Sequence, residues 1–110
     1  MYTPDSWIIV KINGIDPHYR IFGGWNERYT QGASWRLNSG IVQCIEEGDS
    51  YEFYGFSGSV YVVKKDSYNR LDLYNRGVIE SYCDGSAGTM EILEEVPKDL
   101  ENFDWIIKRI

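Results

Sequence analysis

The stretch Ser50-Tyr51-Glu52-Phe53-Tyr54-Gly55-Phe56-Ser57-Gly58-Ser59-Val60-Tyr61-Val62-Val63-Lys64 decides the fold class. From Ser50 to Phe56, Tyr51, Phe53 and Gly55 alternate with Glu52, Tyr54 and Phe56. That two-residue period belongs to a strand, whose successive side chains point to opposite faces. Ser57-Gly58 interrupts the run, and Ser59 to Lys64 resumes it with β-branched and aromatic residues that favour a pleated surface. The segment reads as a hairpin.

Upstream, Ser34-Trp35-Arg36-Leu37 and the run Ile41 to Ile45 are separated by the turn residues Asn38-Ser39-Gly40, and Glu46-Glu47-Gly48-Asp49 turns the chain into Ser50. Four short strands in succession predict a continuous meander over 34–64. Nearer the N-terminus, Trp7 to Ile12 is an apolar run followed by the turn signal Asn13-Gly14, and His18 to Trp25 forms its return strand. Gly23-Gly24 in that strand predicts a bulge, a bend or the close approach of another backbone. Residues 26–33 are polar and read as a loop. Downstream, the period changes. Leu71, Tyr74, Val78 and Tyr82 are spaced by three and four, which predicts a helix over 75–83 capped by Asn75, despite Gly77 at a cost of roughly 1 kcal/mol. Asp84 to Gly88 forms a loop, Thr89 to Glu94 a further strand ended before Pro97, and Phe103, Trp105, Ile106, Ile107 and Ile110 return apolar surface to the sheet. The expected class is mainly β (α+β), a bent antiparallel sheet or small barrel with one short helix.

With 110 residues the chain can build one core and is read as a single domain, 1–110. Its 43% hydrophobic and 25% charged residues are those of a folded globule rather than a disordered chain. A formal net charge of -6 opposes a grip on duplex nucleic acid, which needs a dense basic face. Lys64, Lys65 and Arg70, or Arg20, Arg28 and Arg36, are too dispersed to supply one. The N-terminal residues show no basic region followed by a long apolar stretch, and no segment has the length of a membrane span. A cytoplasmic protein making no membrane contact is the expectation, with Cys44 and Cys83 as reduced thiols.

Catalytic and metal chemistry find little footing. His18 is the sole histidine, and no pattern names a nucleophile beside it. His18, Cys44 and Cys83 lack the paired spacing of a structural zinc site, and no phosphate-cradling glycine loop occurs, so neither metal nor cofactor is expected. The segments Gly32 to Gly40 and Gly55 to Tyr61 each place small residues and hydroxyls beside a large aromatic. From them, Trp35, Arg36, Asn38, Ser57, Ser59 and Tyr61 form a candidate site for a small anionic or nucleotide-like ligand: serine and asparagine supply hydrogen bonds, Arg36 clamps an anion, and Trp35 or Tyr61 stacks on a ring. The same residues also satisfy two tight turns and the packing around them. Trp25, Arg28 and Tyr29 are of the types enriched at protein hot spots and form a candidate interface.

Tyr2-Thr3-Pro4-Asp5-Ser6-Trp7, the run Ser34 to Ile41, and the segment Tyr54 to Tyr61 resemble small uncharacterised accessory proteins of tailed bacteriophages, over roughly the first two thirds of the chain. The resemblance implies a non-enzymatic anti-defence protein working in the host cytoplasm, and the paired Ser/Gly/aromatic segments favour one that sequesters a nucleotide-like ligand. Two alternatives accompany it. One is an acidic inhibitor that binds a host or defence protein; the other is a small enzyme using Cys44, Cys83 or His18. A homodimer through an aromatic face is the expected assembly.

Overall fold

Trp7-Ile8-Ile9-Val10 offers no polar position on either side of a strand, so both faces must be covered. In the computed structural model, which describes residues 1–26 and 34–106, all four side chains are fully buried. They lie in β1 (Ser6–Ile12), which pairs antiparallel with β2 (His18–Trp25); β3 (Ser34–Leu37) follows on the far side of β2. The chain then builds a second sheet from β4 (Ile41–Glu47), β5 (Ser50–Gly55) and β6 (Val60–Lys64). A short 3-10 turn, Lys65–Ser67, leads to α1 (Leu73–Asp84), and β7 (Met90–Ile92) returns to pair with β1. The two sheets have strand orders β3-β2-β1-β7 and β4-β5-β6.

Three layers result. Trp7, Ile9 and Ile21 face Ile41, Cys44, Phe53, Tyr61 and Val63 of the second sheet, joined by Leu100 and Trp105 from the C-terminal segment. On the opposite face Ile8, Val10 and Phe22 pack under Ile79 of α1, with Trp35, Leu37, Leu71 and Val78 around them. The chain is thus mainly β with one helix, and the described strands do not close into a barrel. The outer edge of β6 is covered by the N-terminal segment instead: Tyr2 N donates to Val60 O (2.8 Å) and Val62 N to Tyr2 O (2.9 Å).

The meander expected over 34–64 is divided. β3 continues the first sheet and β4 opens the second, with the crossing at Asn38-Ser39-Gly40. The reason is the apolar face: Trp35 and Leu37 find cover on the helix side with Phe22, whereas Ile41 and Cys44 belong between the sheets. Gly40, at φ +135°, supplies the backbone conformation for the change of direction. Gly23-Gly24 produces no bulge, since Trp7 pairs Gly23 and Ser6 pairs Gly24 in unbroken register. Side chains make the close approach. A Cβ on Gly23 would meet the Pro4 ring at 2.9 Å, and one on Gly24 would lie 2.8 Å from Asn75 Nδ2. The register shift occurs in β4, between Ile41 and Gln43.

The helix starts two residues before the expected one, at Leu73, and its cap is Asp72, whose Oδ1 accepts from Asn75 N (2.8 Å). Asn75 cannot serve as the cap because its side chain is turned into the fold, where Nδ2 donates to Ser34 O (3.2 Å). The strand expected over Thr89 to Glu94 is confined to Met90–Ile92. As expected, Phe103 and Trp105 dock the C-terminal segment, packing edge-on against Tyr19 at 5.0 and 5.9 Å.

Beyond the short β7, a side chain takes the place of a strand. Tyr68 Oη accepts from Ile9 N (3.1 Å) and donates to Leu93 O (2.7 Å), while Leu93 N donates to Ile9 O (2.9 Å). Tyr68→Phe removes both hydroxyl bonds and strands two backbone groups. The expected cost is about 1–3 kcal/mol in urea unfolding, with little change in m-value.

Burial also raises the Tyr68 hydroxyl from its ordinary value of 10.0 to about 12. The buried Cys44 thiol rises from 9.0 to about 12, first by desolvation and then through Glu101 and Glu46. Both folded values lie above the unfolded ones, so the fold favours the neutral forms. The resulting stability is complete below the unfolded values and is lost as pH climbs through the folded ones. Urea midpoints are therefore expected to fall steadily from pH 9.0 to about 12. Cys44→Val should flatten the early part of that decline and Tyr68→Phe the later part.

Candidate functional site

The edge of β2 has two successive partners. β3 occupies it from Trp25 back to Phe22, which pairs with Leu37. Asn38 extends that pairing by one residue: its N donates to Ile21 O (3.0 Å) and its Oδ1 accepts from Ile21 N (2.8 Å). At the other end Tyr19 N donates to Trp105 O (3.2 Å), and His18 bridges to Ile106. Arg20 lies between the two partners. There the surface opens into a cleft of about 760 Å³ lined by residues of the β1–β2 turn, by His18 and Arg20, by the Ser39-Gly40-Ile41 crossing, and by Phe56 and Ile106.

The polar side of this cleft is a fixed relay. Arg20 Nε donates to His18 Nε2 (3.0 Å), and the opposite ring nitrogen, Nδ1, lies 2.6 Å from the carbonyl of Asp16. A guanidinium has only donors, so Nε2 is the acceptor and Nδ1 carries the hydrogen. With Nε spent, the two terminal amino groups of Arg20 have no hydrogen bond to any described residue. The apolar side consists of Ile15, Ile41, Phe56 and Ile106, of which Ile15 (87%), Phe56 (72%) and Ile106 (44%) are exposed. These large apolar side chains are thus left in water around one concavity rather than scattered singly.

The two glycine and serine segments do meet. Phe56 N donates to Gly40 O (2.8 Å), Ser57 N to Ser39 Oγ (3.0 Å), and Ser39 Oγ lies 3.2 Å from Ser57 Oγ. Ser39, Gly40 and Phe56 then line the cleft, with Ser57 beside them. The other expected site residues are placed differently. Trp35 is stacked on Phe22 at 5.5 Å and abuts Tyr82 on the helix side. Tyr61 is buried in the inter-sheet core. Asn38 is buried, and its Nδ2, without a partner among the described residues, hangs with Ser59 Oγ over Gly55. The six residues therefore do not surround one cavity.

Arg36 and Trp35, two of the expected site residues, share a second, shallower hollow of about 410 Å³ with Tyr2, Asp5, Trp25, Asn26 and Ser34. The Arg36 guanidinium carbon sits 4.3 Å above the Tyr2 ring. Burial raises the Tyr61 hydroxyl, and the neighbouring Arg36 charge opposes that rise. Trp25 meets Tyr2 edge-on at 6.4 Å, so its ring is partly committed to the fold. Arg28 and Tyr29, the other expected interface residues, lie outside the described residues.

Among the described residues no group of three or more His, Cys, Asp or Glu side chains is placed to hold a metal ion. Cys44 and Cys83 are free thiols in different layers, one between the sheets and one on α1. No helix among them is long and apolar enough to cross a membrane. Sequence reasoning treated His18 as isolated and passed over Arg20 as a ligand residue. Their i, i+2 spacing in a strand, which puts both on one face, was the available signal. Comparison with family models, curated proteins and solved structures finds no match to this chain.

Gly40 is the pivot of this geometry. A Cβ there would lie 3.3 Å from His18 Cδ2 at a φ that side chains rarely adopt. Gly40→Ala is expected to cost about 1 kcal/mol or more in thermal or urea unfolding. It should also shift the imidazole proton resonances, which the single histidine makes directly assignable by NMR.

Proposed function

We propose that this is a non-enzymatic binding protein that captures a small anionic, nucleotide-like ligand in the Arg20 cleft. In this reading it serves as an accessory protein of a tailed bacteriophage and withholds that ligand from a host defence. One observation carries the reading: half-buried Arg20, held through Nε by His18 and with no hydrogen bond from its terminal amino groups to any described residue, lines a concavity it shares with exposed apolar side chains.

Such a guanidinium pairs with carboxylate or phosphate oxygens through paired, charge-assisted hydrogen bonds. An apolar ligand body against Ile15, Phe56 and Ile106 adds about 25 cal/mol per Å² of apolar surface removed from water. Binding is favoured over turnover because both nitrogens of His18 are engaged and the hydroxyls of Ser39 and Ser57 face each other rather than a base.

Calorimetry and thermal shift across cyclic and linear nucleotides test the proposal. Wild type should bind at least one ligand, Arg20→Met should lose about tenfold or more in affinity, and Arg36→Met should bind as wild type does. Silence across the whole panel would sink the proposal. Loss of binding in Arg36→Met alone would move the ligand to the second hollow.

A further inference from the structure

Resting on that reading of the cleft, we infer that its ligand carries a single negative charge beside a planar aromatic ring, as cyclic nucleoside monophosphates and aromatic carboxylates do, and is not a polyphosphate. Three features of the lining lead there.

The first is the geometry of the cation. Arg20 has given its Nε to His18, so the side-on fork formed by Nε and one terminal nitrogen is closed, and only the end-on pair remains. That pair matches two oxygens of one group: a carboxylate, or the two non-bridging oxygens of a phosphodiester. The second is the charge inventory. Arg20 is the only Arg or Lys among the described lining residues, the His18 ring is held between Arg20 and a backbone carbonyl, and the carboxylate-bearing Asp16 lines the same cleft. A second or third phosphate would find no counter-charge from these residues and would face Asp16. The third is the wall. Phe56 is exposed at the β5–β6 turn and lines the cleft with exposed Ile15 and Ile106, so aromatic and aliphatic surface is available to a planar group. Polyphosphate chains gain nothing from such a wall.

The decisive experiment is calorimetry on the full chain with four probes: 3′,5′-cyclic AMP, indole-3-acetate, AMP and ATP. Each is titrated into wild type, Asp16→Asn and Arg20→Met. The Asp16 backbone carbonyl that holds His18 is kept in Asp16→Asn, so the substitution changes charge without dismantling the relay. The expected result is binding of cyclic AMP or indole-3-acetate, with ATP about tenfold weaker or more, and a gap that narrows about threefold in Asp16→Asn because the more highly charged ATP gains more than the monoanions do. Which monoanion binds distinguishes a nucleotide from an aromatic acid. ATP binding as tightly as the monoanions, or a gap indifferent to Asp16→Asn, overturns this inference and leaves the cleft as the ligand site. Failure of all four probes, or undiminished binding in Arg20→Met, overturns the site assignment and this inference with it.

Discussion

Complete burial of β1 on both faces is the constraint on which the rest of the structure depends. Trp7 and Ile9 must be covered from one side, Ile8 and Val10 from the other. Each such side chain contributes about 1.5–3 kcal/mol when removed from water. A two-layer fold would forgo half of that. The second sheet and the helix are the two covers, and Trp7 fastens the first of them: its indole Nε1 donates to Lys64 O (2.7 Å) while its ring meets Phe53 at 5.4 Å and Tyr68 at 4.7 Å. A buried indole needs such a polar partner.

Covering a strand from both sides forces the chain to change layers, and each change leaves backbone groups that the ladder cannot satisfy. Side chains fill those places. Asn38 completes the edge of β2 where β3 departs, Tyr68 bridges β1 to Leu93 beyond the end of β7, and Asn75 reaches from α1 to the backbone of Ser34. They are polar because an apolar residue there would strand a buried amide or carbonyl at a cost of about 1–3 kcal/mol.

The cleft follows from the same topology. β3 leaves the edge of β2 after Leu37, the segment carrying Trp105 and Ile106 joins it at Tyr19 and His18, and Arg20 lies in the interval. The N-terminal hairpin turn and the β5–β6 turn bring Ile15 and Phe56 to its rim. Residues distant in sequence thus meet at a place where no element continues the sheet. In a chain of net charge -6, the opening is thus lined by a half-buried arginine, a local positive charge against the overall field.

The sequence by itself determined the strands, because alternation and turn residues are local signals. The β5–β6 hairpin, the β1–β2 hairpin after its apolar run, and the presence of one helix near 75–83 could all be read from spacing and propensity. It also brought the Ser39 and Ser57 segments to attention, since glycine and serine mark tight turns wherever they fall. Strand partners were beyond it. That β3 joins β2 rather than β4 depends on which apolar face Trp35 and Leu37 can bury, and this is settled only when Phe22 and Ile79 are assembled beside them. The same holds for Asn75, read as a cap and found bonded to a carbonyl 41 positions away. It holds for His18 and Arg20, whose pairing was open to a strand-period reading but whose cleft exists only because two segments part along the edge of β2. Local chemistry chose the elements; competition for buried surface, which is non-local and non-directional, decided their arrangement and hence the site.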